Sequence, residues 1–546
     1  MNRIAIYLNQ HIDGVVYSAP EILKQYATDR SILKFHPRIV ALPVNTTDIA
    51  RLVKFSNQLA QKKVALPITV RGSGNSKTGA SIGTGLLIST EKLNRIQEID
   101  ERQRLIRVQA GIRLGELQKA LSTHGLALPV LGHPMQSIGS LIAEQARASV
   151  NTEARTIVDF VERAEIVLSD GTRLETDQYN TKALKKKLAS LRNEKDIPFE
   201  AKIYQGIDKL LDEHKKLLEK MPPAAIDKSG YSGITSVLKR PNAKRQMRAR
   251  FDIAPLFCGS EGTLGIITEV ILRVEPVFDE PNYVVVPCPT VKSLFNLSKL
   301  LLSLNFTDIV FYDAQVFNAA AKTGKSSKFF KKIPEKAYLL VANTKDDSTW
   351  QRRRKLRQLK AKLDGKAHPI EISKTNYRDF LALQANLDAF LNDTTANAYY
   401  LPILDGAYVP LEKQTEFLTK LAELLTELKV EAAIYGSIDF QTINVRPAAT
   451  LNTANGRKTL ILLIRRYLKL LQECGGNPYG AAPEGRFLAI FTKAEAKTEL
   501  LALQGEIKKL FDPNDILNPG LKQEAETKTI LGHFRTDYDS GLLSSE

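Results

Sequence analysis

The run Phe257-Cys258-Gly259-Ser260-Glu261-Gly262-Thr263-Leu264-Gly265-Ile266-Ile267-Thr268 constrains this chain more than any other stretch. Three glycines and small hydroxyl residues surround one acid and lead straight into a β-branched apolar segment. Glycine reaches positive φ and lets a backbone approach a flat ligand closely. Ile266-Ile267-Thr268, continued by Val270-Ile271-Leu272, favours a strand. The pattern is a tight loop feeding a buried strand. Taken alone, it suits a ligand loop or a glycine-rich turn in a packed sheet equally well.

A second segment of the same kind lies upstream. Ile68-Thr69-Val70-Arg71-Gly72-Ser73-Gly74-Asn75-Ser76-Lys77-Thr78-Gly79 again runs from strand to glycines and hydroxyls. Successive exposed N–H groups in such a loop make a concavity suited to a pyrophosphate. Its glycine spacing is not G-x-G-x-x-G and no long helical pattern follows, so it is not a Rossmann unit. Between the two loops lie Ser137-Ile138-Gly139-Ser140-Leu141-Ile142-Ala143 and Val167-Leu168-Ser169-Asp170-Gly171. Near the end comes Phe511-Asp512-Pro513-Asn514-Asp515-Ile516-Leu517-Asn518-Pro519-Gly520.

These five pieces, in this order, resemble the FAD-linked oxidases of the vanillyl-alcohol-oxidase or p-cresol-methylhydroxylase (PCMH) fold. The nearest branch is that of the glycolate oxidase D-subunit and the D-lactate and D-2-hydroxyglutarate dehydrogenases. The resemblance spans roughly residues 36 to 522. It implies an α+β fold, with a PCMH-type FAD-binding domain and an antiparallel-sheet cap. The implied division is a lead-in over 1–35, the FAD domain over 36–276 with a basic insertion at about 180–250, the cap over 277–490, and a segment over 491–546 returning to the flavin.

The resemblance also implies a set of cofactor residues. Arg71, Gly72, Ser73, Gly74, Asn75, Ser76 and Gly79 would hold the FAD pyrophosphate. Ser137, Ile138, Gly139 and Ser140 match a T-I-G-G turn beside the phosphates and ribityl chain. Gly259, Glu261, Gly262 and Ile267 would lie by the flavin nucleotide, with Glu261 and Ile267 towards its adenosine half. Asn518 would approach the isoalloxazine ring, and Asp227-Lys228-Ser229-Gly230-Tyr231 matches a K-N-x-x-G-Y loop in part. The 71–79 loop holds no histidine or cysteine, so the FAD is expected to be non-covalent. His133, in Leu131-Gly132-His133-Pro134, is a lesser alternative for attachment and reads better as a surface group.

The substrate site departs from the branch. There a divalent metal is held by two histidines seven residues apart and by the glutamate of an E-H-G-D-G motif, whose histidine is the base. Imidazole and carboxylate suit such a metal, which can acidify a substrate hydroxyl. Here the corresponding positions read Ser437, Asn444, Ala481 and Ala482. None of the seven histidines falls between His368 and His533. No metal is therefore expected. Tyr479, Glu484 and Asp439 remain as proton acceptors, and Arg446 and Arg486 as carboxylate grips. The expected function is an FAD-dependent oxidoreductase oxidising a small hydroxylated substrate by hydride transfer to flavin. The alternatives are an FAD-binding regulatory protein without turnover and a redox subunit completed by a partner.

The bulk properties fit this reading. At 546 residues and 43% hydrophobic, the chain can bury more than one core. No apolar run approaches the roughly 18 residues of a membrane span, and the first residues do not form a signal peptide. Three scattered cysteines give neither a disulfide framework nor a C-x-x-C pair, and a cytoplasmic setting is expected. The formal charge is +17, and residues 181–250 hold eighteen basic against eight acidic residues. That stretch reads as a solvated insertion, or as a docking surface for a redox partner or an anionic membrane. Nucleic acid is not expected, because few aromatics interleave the charges. Along the chain, Ile39–Pro43 and Val64–Pro67 read as strands. A helix begins near Thr47, capped by Thr46 or Thr47, and Leu114–Leu121 and Leu418–Leu425 read as amphipathic helices.

Overall fold

A computed structural model describes residues 3–149, 156–192, 197–223, 226–239, 250–277, 283–316, 338–344, 348–363, 370–371, 387, 391, 399–493 and 497–536. The chain forms two compact units. The first joins Met1–Ala148 and Ala154–Pro276 to a returning segment, Ala482–Phe534, and the second is mainly Val277–Ala481.

The first unit contains two main sheets. Leu86–Ser89 pairs in parallel with Ile39–Leu42 on one side and Ile68–Arg71 on the other, and Val15–Tyr17 adds an antiparallel edge. Ile39–Leu42 and Leu86–Ser89 are buried along their whole length, as strands covered on both faces must be. Ile49, Leu52 and Val53 of the helix Thr46–Gln61 pack on this sheet. That helix is capped by Asn45, whose side chain accepts from Asp48 N–H at 2.9 Å, and not by Thr46 or Thr47. An amide oxygen fits the N-cap as well as a hydroxyl does. Asp48 in turn accepts from the N–H groups of Asp13, Gly14 and Val44. The described part of the first 35 residues, from Arg3 on, therefore packs with the sheet, with Ala5 and Leu8 in its core. Val64–Pro67 is irregular, and the strand starts at Ile68.

The second sheet is antiparallel, in the order Ile96–Asp100, Leu105–Gln109, Ile266–Arg273, Val161–Val167, Arg173–Glu175. Ile266–Arg273 is central, which explains its β-branched, buried composition. The stretch read as a charged insertion is amphipathic. Helix Phe199–Glu213 places Ile203, Tyr204 and Ile207 in the main core, and its Gly206 lies against Leu510 of the returning helix Thr498–Phe511. Of the expected basic loop, residues 240–249 lie outside the described residues. Their flanks Leu238–Lys239 and Arg250–Phe251 pair antiparallel.

Among the described residues, the second unit has an eight-stranded antiparallel sheet running from Ile370–Glu371 through Tyr283–Cys288, Tyr338–Asn343, Thr307–Tyr312, Ala432–Ser437 and Thr442–Ala449 to Tyr399–Tyr400, with Leu404–Tyr408 also on Thr442–Ala449. Helix Val291–Ser303 packs on this sheet, followed side by side by Gln414–Leu428 and Ala454–Glu473. The architecture is α+β, as expected. Among the described residues no helix is long and apolar enough to cross a membrane.

Candidate functional site

The two glycine loops and the Ser137 turn meet in the first unit around one cleft. Gly72, Asn75, Ser76, Gly139, Ser140, Glu261, Gly262 and Ile267 line it, so half of the expected cofactor residues share one cavity. Val70, Ala110 and Ile266 add apolar wall, and Ser81 and Thr90 add hydroxyls. The glycines are dictated by close approach. A Cβ on Gly72 would stand 2.2 Å from Ser137 Oγ and 2.4 Å from Ser140 Oγ, and Gly262 sits at φ +74°. Ser137 is the N-cap of the short helix Ile138–Ala143, accepting from Ser140 N–H and donating to Ser140 Oγ at 2.9 Å.

The other expected residues build the cleft without lining it. Arg71, expected at the pyrophosphate, turns inward. Its Nη1 donates to Thr28 O at 2.8 Å, its guanidinium lies 5.5 Å from the Tyr26 ring, and burial lowers its pKa against the pull of Asp29. Gly74 makes room for it, since a Cβ there would meet Arg71 Nη2 at 2.2 Å. Ser73 ties Asn75 Nδ2 and Ser137 N–H to the loop. Ile138 belongs to the core, Gly259 N–H donates to Ile142 O, and Gly79 O accepts from Arg486 Nε.

Glu261 is the hub. It holds φ +54°, and its buried carboxylate accepts from Thr78 Oγ1 (2.8 Å) and Gly485 N–H (3.0 Å) and pairs with Lys522 Nζ at 3.3 Å. Asn518 is fully buried beneath it, with Nδ2 donating to Glu261 O and Ala80 O at 2.8 Å each. Sequence reading missed Lys522, which lies among charged residues typical of a surface, and Thr78 and Gly485, which carry no chemical signature of their own.

Glu144 was missed as well, although an acid in the otherwise small and apolar Leu141–Ala143 turn is a signal. It lines the cleft. Burial, then the nearby Glu261 charge, raises its carboxyl to about 7. Behind it Lys228 is fully buried and donates to Gln145 O at 2.7 Å, with its pKa pushed well down by burial and by Arg147. Burial lowers Arg147 to about 9.

The four expected catalytic residues are divided between the two units. Glu484 and Arg486 belong to the first unit, Tyr479 and Arg446 to the second. Arg486, expected to grip a carboxylate, is spent on the protein itself. It donates to Gly79 O, Ile82 O, Pro519 O and Asn518 Oδ1. Arg446 is likewise committed, through Nε and Nη2, to both oxygens of Asp405 at 2.9–3.2 Å, over the Tyr435 ring. Asp439 accepts from Ile309 N–H. Tyr479 is buried, and its N–H donates to Asn477 Oδ1. Glu484 keeps one carboxylate oxygen, Oε2, buried without a hydrogen-bond partner among the described residues, and burial raises its pKa against the pull of Lys522.

At two of the positions expected to correspond to the branch's metal ligands, Ser437 Oγ accepts from Phe440 N–H and Asn444 Nδ2 donates to Tyr435 O, so both side chains brace their hairpin. Ala481 sits on Gly406, where a Cβ would meet its own at 2.2 Å. His133 accepts from Met135 N–H through Nδ1 in a local turn.

The donor set of the cleft fits FAD. Hydroxyls from Ser76, Ser81, Thr90 and Ser140 and the Asn75 amide can meet a diphosphate, and bare glycine backbone with an apolar wall can face a flat ring. Its two acids do not oppose an anion strongly. Glu261 is neutralised by Lys522, and Glu144 holds its proton up to about 7.

Comparison with known proteins agrees. Residues 37–177 match the family model of an FAD binding domain, and residues 279–521 that of the FAD linked oxidases, C-terminal domain. A D-2-hydroxyglutarate dehydrogenase of Pantoea ananatis is 25% identical over 90% of this chain and 48% of its own length. The chain thus spans about half the length of the dehydrogenases of that kind that it matches. A D-lactate dehydrogenase of Archaeoglobus fulgidus is 23% identical, over 88% of this chain and 90% of that one. The solved structure of a 4-ethylphenol oxidase from Gulosibacter chungangensis superposes with a TM-score of 0.68 at 15% identity, over 96% of this chain and 98% of that one, which establishes the fold. The chain belongs to the FAD-linked oxidase family, with a PCMH-type domain built for FAD and the family's C-terminal domain after it.

Proposed function

We propose that this chain is an FAD-dependent oxidoreductase that oxidises a small 2-hydroxy acid, with the FAD held non-covalently. The observation that carries the reading is the single cleft shared by Gly72, Ser76, Ser140, Glu261 and Gly262, in a chain whose relatives include D-2-hydroxyglutarate and D-lactate dehydrogenases. Bound FAD supplies the acceptor for the hydride of the C–H beside the substrate hydroxyl. The chain's own residues bind, orient and shield. Ser76, Ser140 and the backbone of the Gly72 loop donate to the anionic half, and Val70, Ile266 and Ile267 keep water from the apolar wall. Glu144 holds or releases a proton near neutrality at its carboxyl. Among the expected proton acceptors, Glu484 is the one we assign to the substrate proton, because its buried Oε2 has no hydrogen-bond partner among the described residues.

The reading supposes no metal. Serine and amide oxygens are weak ligands and alanine offers none, and Ser437, Asn444, Ala481 and Ala482 stand where the branch has its ligands and base. The same four residues favour a second reading, a flavin subunit that turns over only with a partner. Dye-linked assays of the purified chain against D-2-hydroxy acids, alditols and aromatic alcohols, with elemental analysis of the same sample, test both. Turnover of a hydroxy acid by the chain alone supports the first reading and removes the second. Stoichiometric zinc or manganese contradicts the metal-free assignment.

A further inference from the structure

The helix Thr349–Leu363 of the second unit, TWQRRRKLRQLKAKL, has Arg or Lys at seven of its 15 positions and no Asp or Glu. It is a well-formed helix. Ser348 N–H donates to Gln351 Oε1 at 2.8 Å and Gln351 N–H to Ser348 Oγ at 3.3 Å, a reciprocal cap. Its inner face is also settled. Leu356 and Leu359 are buried, and Lys355 donates to Asn305 O at 2.8 Å beside the Phe306 ring.

At about 100° per residue, Trp350, Arg353, Arg354, Arg357 and Lys360 fall in one arc of about 120° on the side away from Leu359, and all five are exposed. Trp350 is the chain's single tryptophan and is 66% exposed, with the Arg354 guanidinium 5.6 Å from its ring. Among the described residues no carboxylate pairs with these four cations. Other helices of the same unit differ. Glu416 serves both Lys413 and Lys420, and Glu427 serves Arg466. Like charges at i,i+3 and i,i+4 weaken a helix, so a face of this kind costs stability that a docked anionic surface would return.

We propose that this face docks the protein peripherally on an anionic phospholipid surface, with Trp350 at headgroup level and Arg353, Arg354, Arg357 and Lys360 over the lipid phosphates. A row of cations with no carboxylate partner among the described residues complements a diffuse negative surface, and an exposed indole is the side chain best suited to the boundary between water and acyl chain. One aromatic beside the charges is too few for a base-stacking track. Leu356 and Leu359 are already used in packing, so the helix lies on the membrane and does not insert.

The test is co-sedimentation of the full FAD-loaded chain with phosphatidylcholine vesicles, with and without phosphatidylglycerol, while following tryptophan emission. Binding to the anionic vesicles alone is expected, with a blue shift that only Trp350 can report and with loss at high salt. Arg353→Glu/Arg357→Glu should weaken partitioning at least about tenfold with the flavin spectrum and thermal unfolding unchanged. Trp350→Ala should weaken it several-fold and keep the salt dependence. No binding to anionic vesicles at low salt, or binding indifferent to the double charge reversal, overturns the proposal. So does tighter binding to duplex DNA than to vesicles, which would assign the face to nucleic acid.

Discussion

Lys522 Nζ lies 3.3 Å from Glu261 Oε2, with both side chains fully buried. The pair joins the Gly259–Gly265 loop to the segment that returns after Phe511-Gly520, and Gly485 N–H and Thr78 Oγ1 complete it. Removing one charge strands the other in the interior. Lys522→Met should therefore destabilise the chain by about 3–5 kcal/mol, seen as a lower thermal midpoint and loss of FAD on gel filtration. The double change Glu261→Gln/Lys522→Met should cost clearly less than the single one, because no unpaired charge remains.

Gly72 leaves no room for a Cβ between the Arg71–Gly79 loop and the Ser137 turn. Gly72→Val should push the two apart and abolish retention of FAD. Gly125→Ala is the matched control. It has nothing within 4 Å of an added Cβ, although its φ of +66° adds local strain. That variant should keep its flavin, read as the visible bands of the purified protein.

Glu144 makes stability pH-dependent. The unfolded chain loses this proton near the ordinary value of 4.5, whereas the native cleft holds it to about 7. Between those limits the native state binds more protons, so this residue's contribution falls as pH rises through the window. Glu144→Gln should flatten the fall in apo-protein stability between pH 5 and pH 8 by roughly 1–3 kcal/mol, measured by urea unfolding. The neutral amide should also make FAD affinity less sensitive to pH above 7, where wild type gains a charge in an anion-binding cleft.

In the second unit, Asp405→Asn removes the partner of a guanidinium that is 2% exposed. A loss of about 3 kcal/mol or more is expected. If Arg446 instead serves chiefly to hold substrate, Asp405→Asn will leave stability intact and raise KM for the hydroxy acid.

Both sheets' main loops were legible because glycine is required in them, by close approach at Gly72 and by a positive φ at Gly262. What failed was the destination of charged side chains. Arg71, Arg446 and Arg486 have the right chemistry for gripping anions, but their partners are Thr28 O, Asp405 and the carbonyls around Asn518, brought near only by tertiary packing. Lys522 failed in the opposite sense, reading as surface while lying in the core. The edge strand Val15–Tyr17 is too short for periodicity to reveal, so the first residues read as a lead-in.

The central claim is that bound FAD accepts a hydride from a 2-hydroxy acid. Its most direct test is an anaerobic visible spectrum of the purified protein before and after addition of D-2-hydroxyglutarate, D-lactate and glycolate. Flavin bands that bleach on addition of at least one of these acids are the predicted result. Protein that shows no flavin bands after incubation with excess FAD, or bands that dithionite bleaches and none of the acids does, would contradict it.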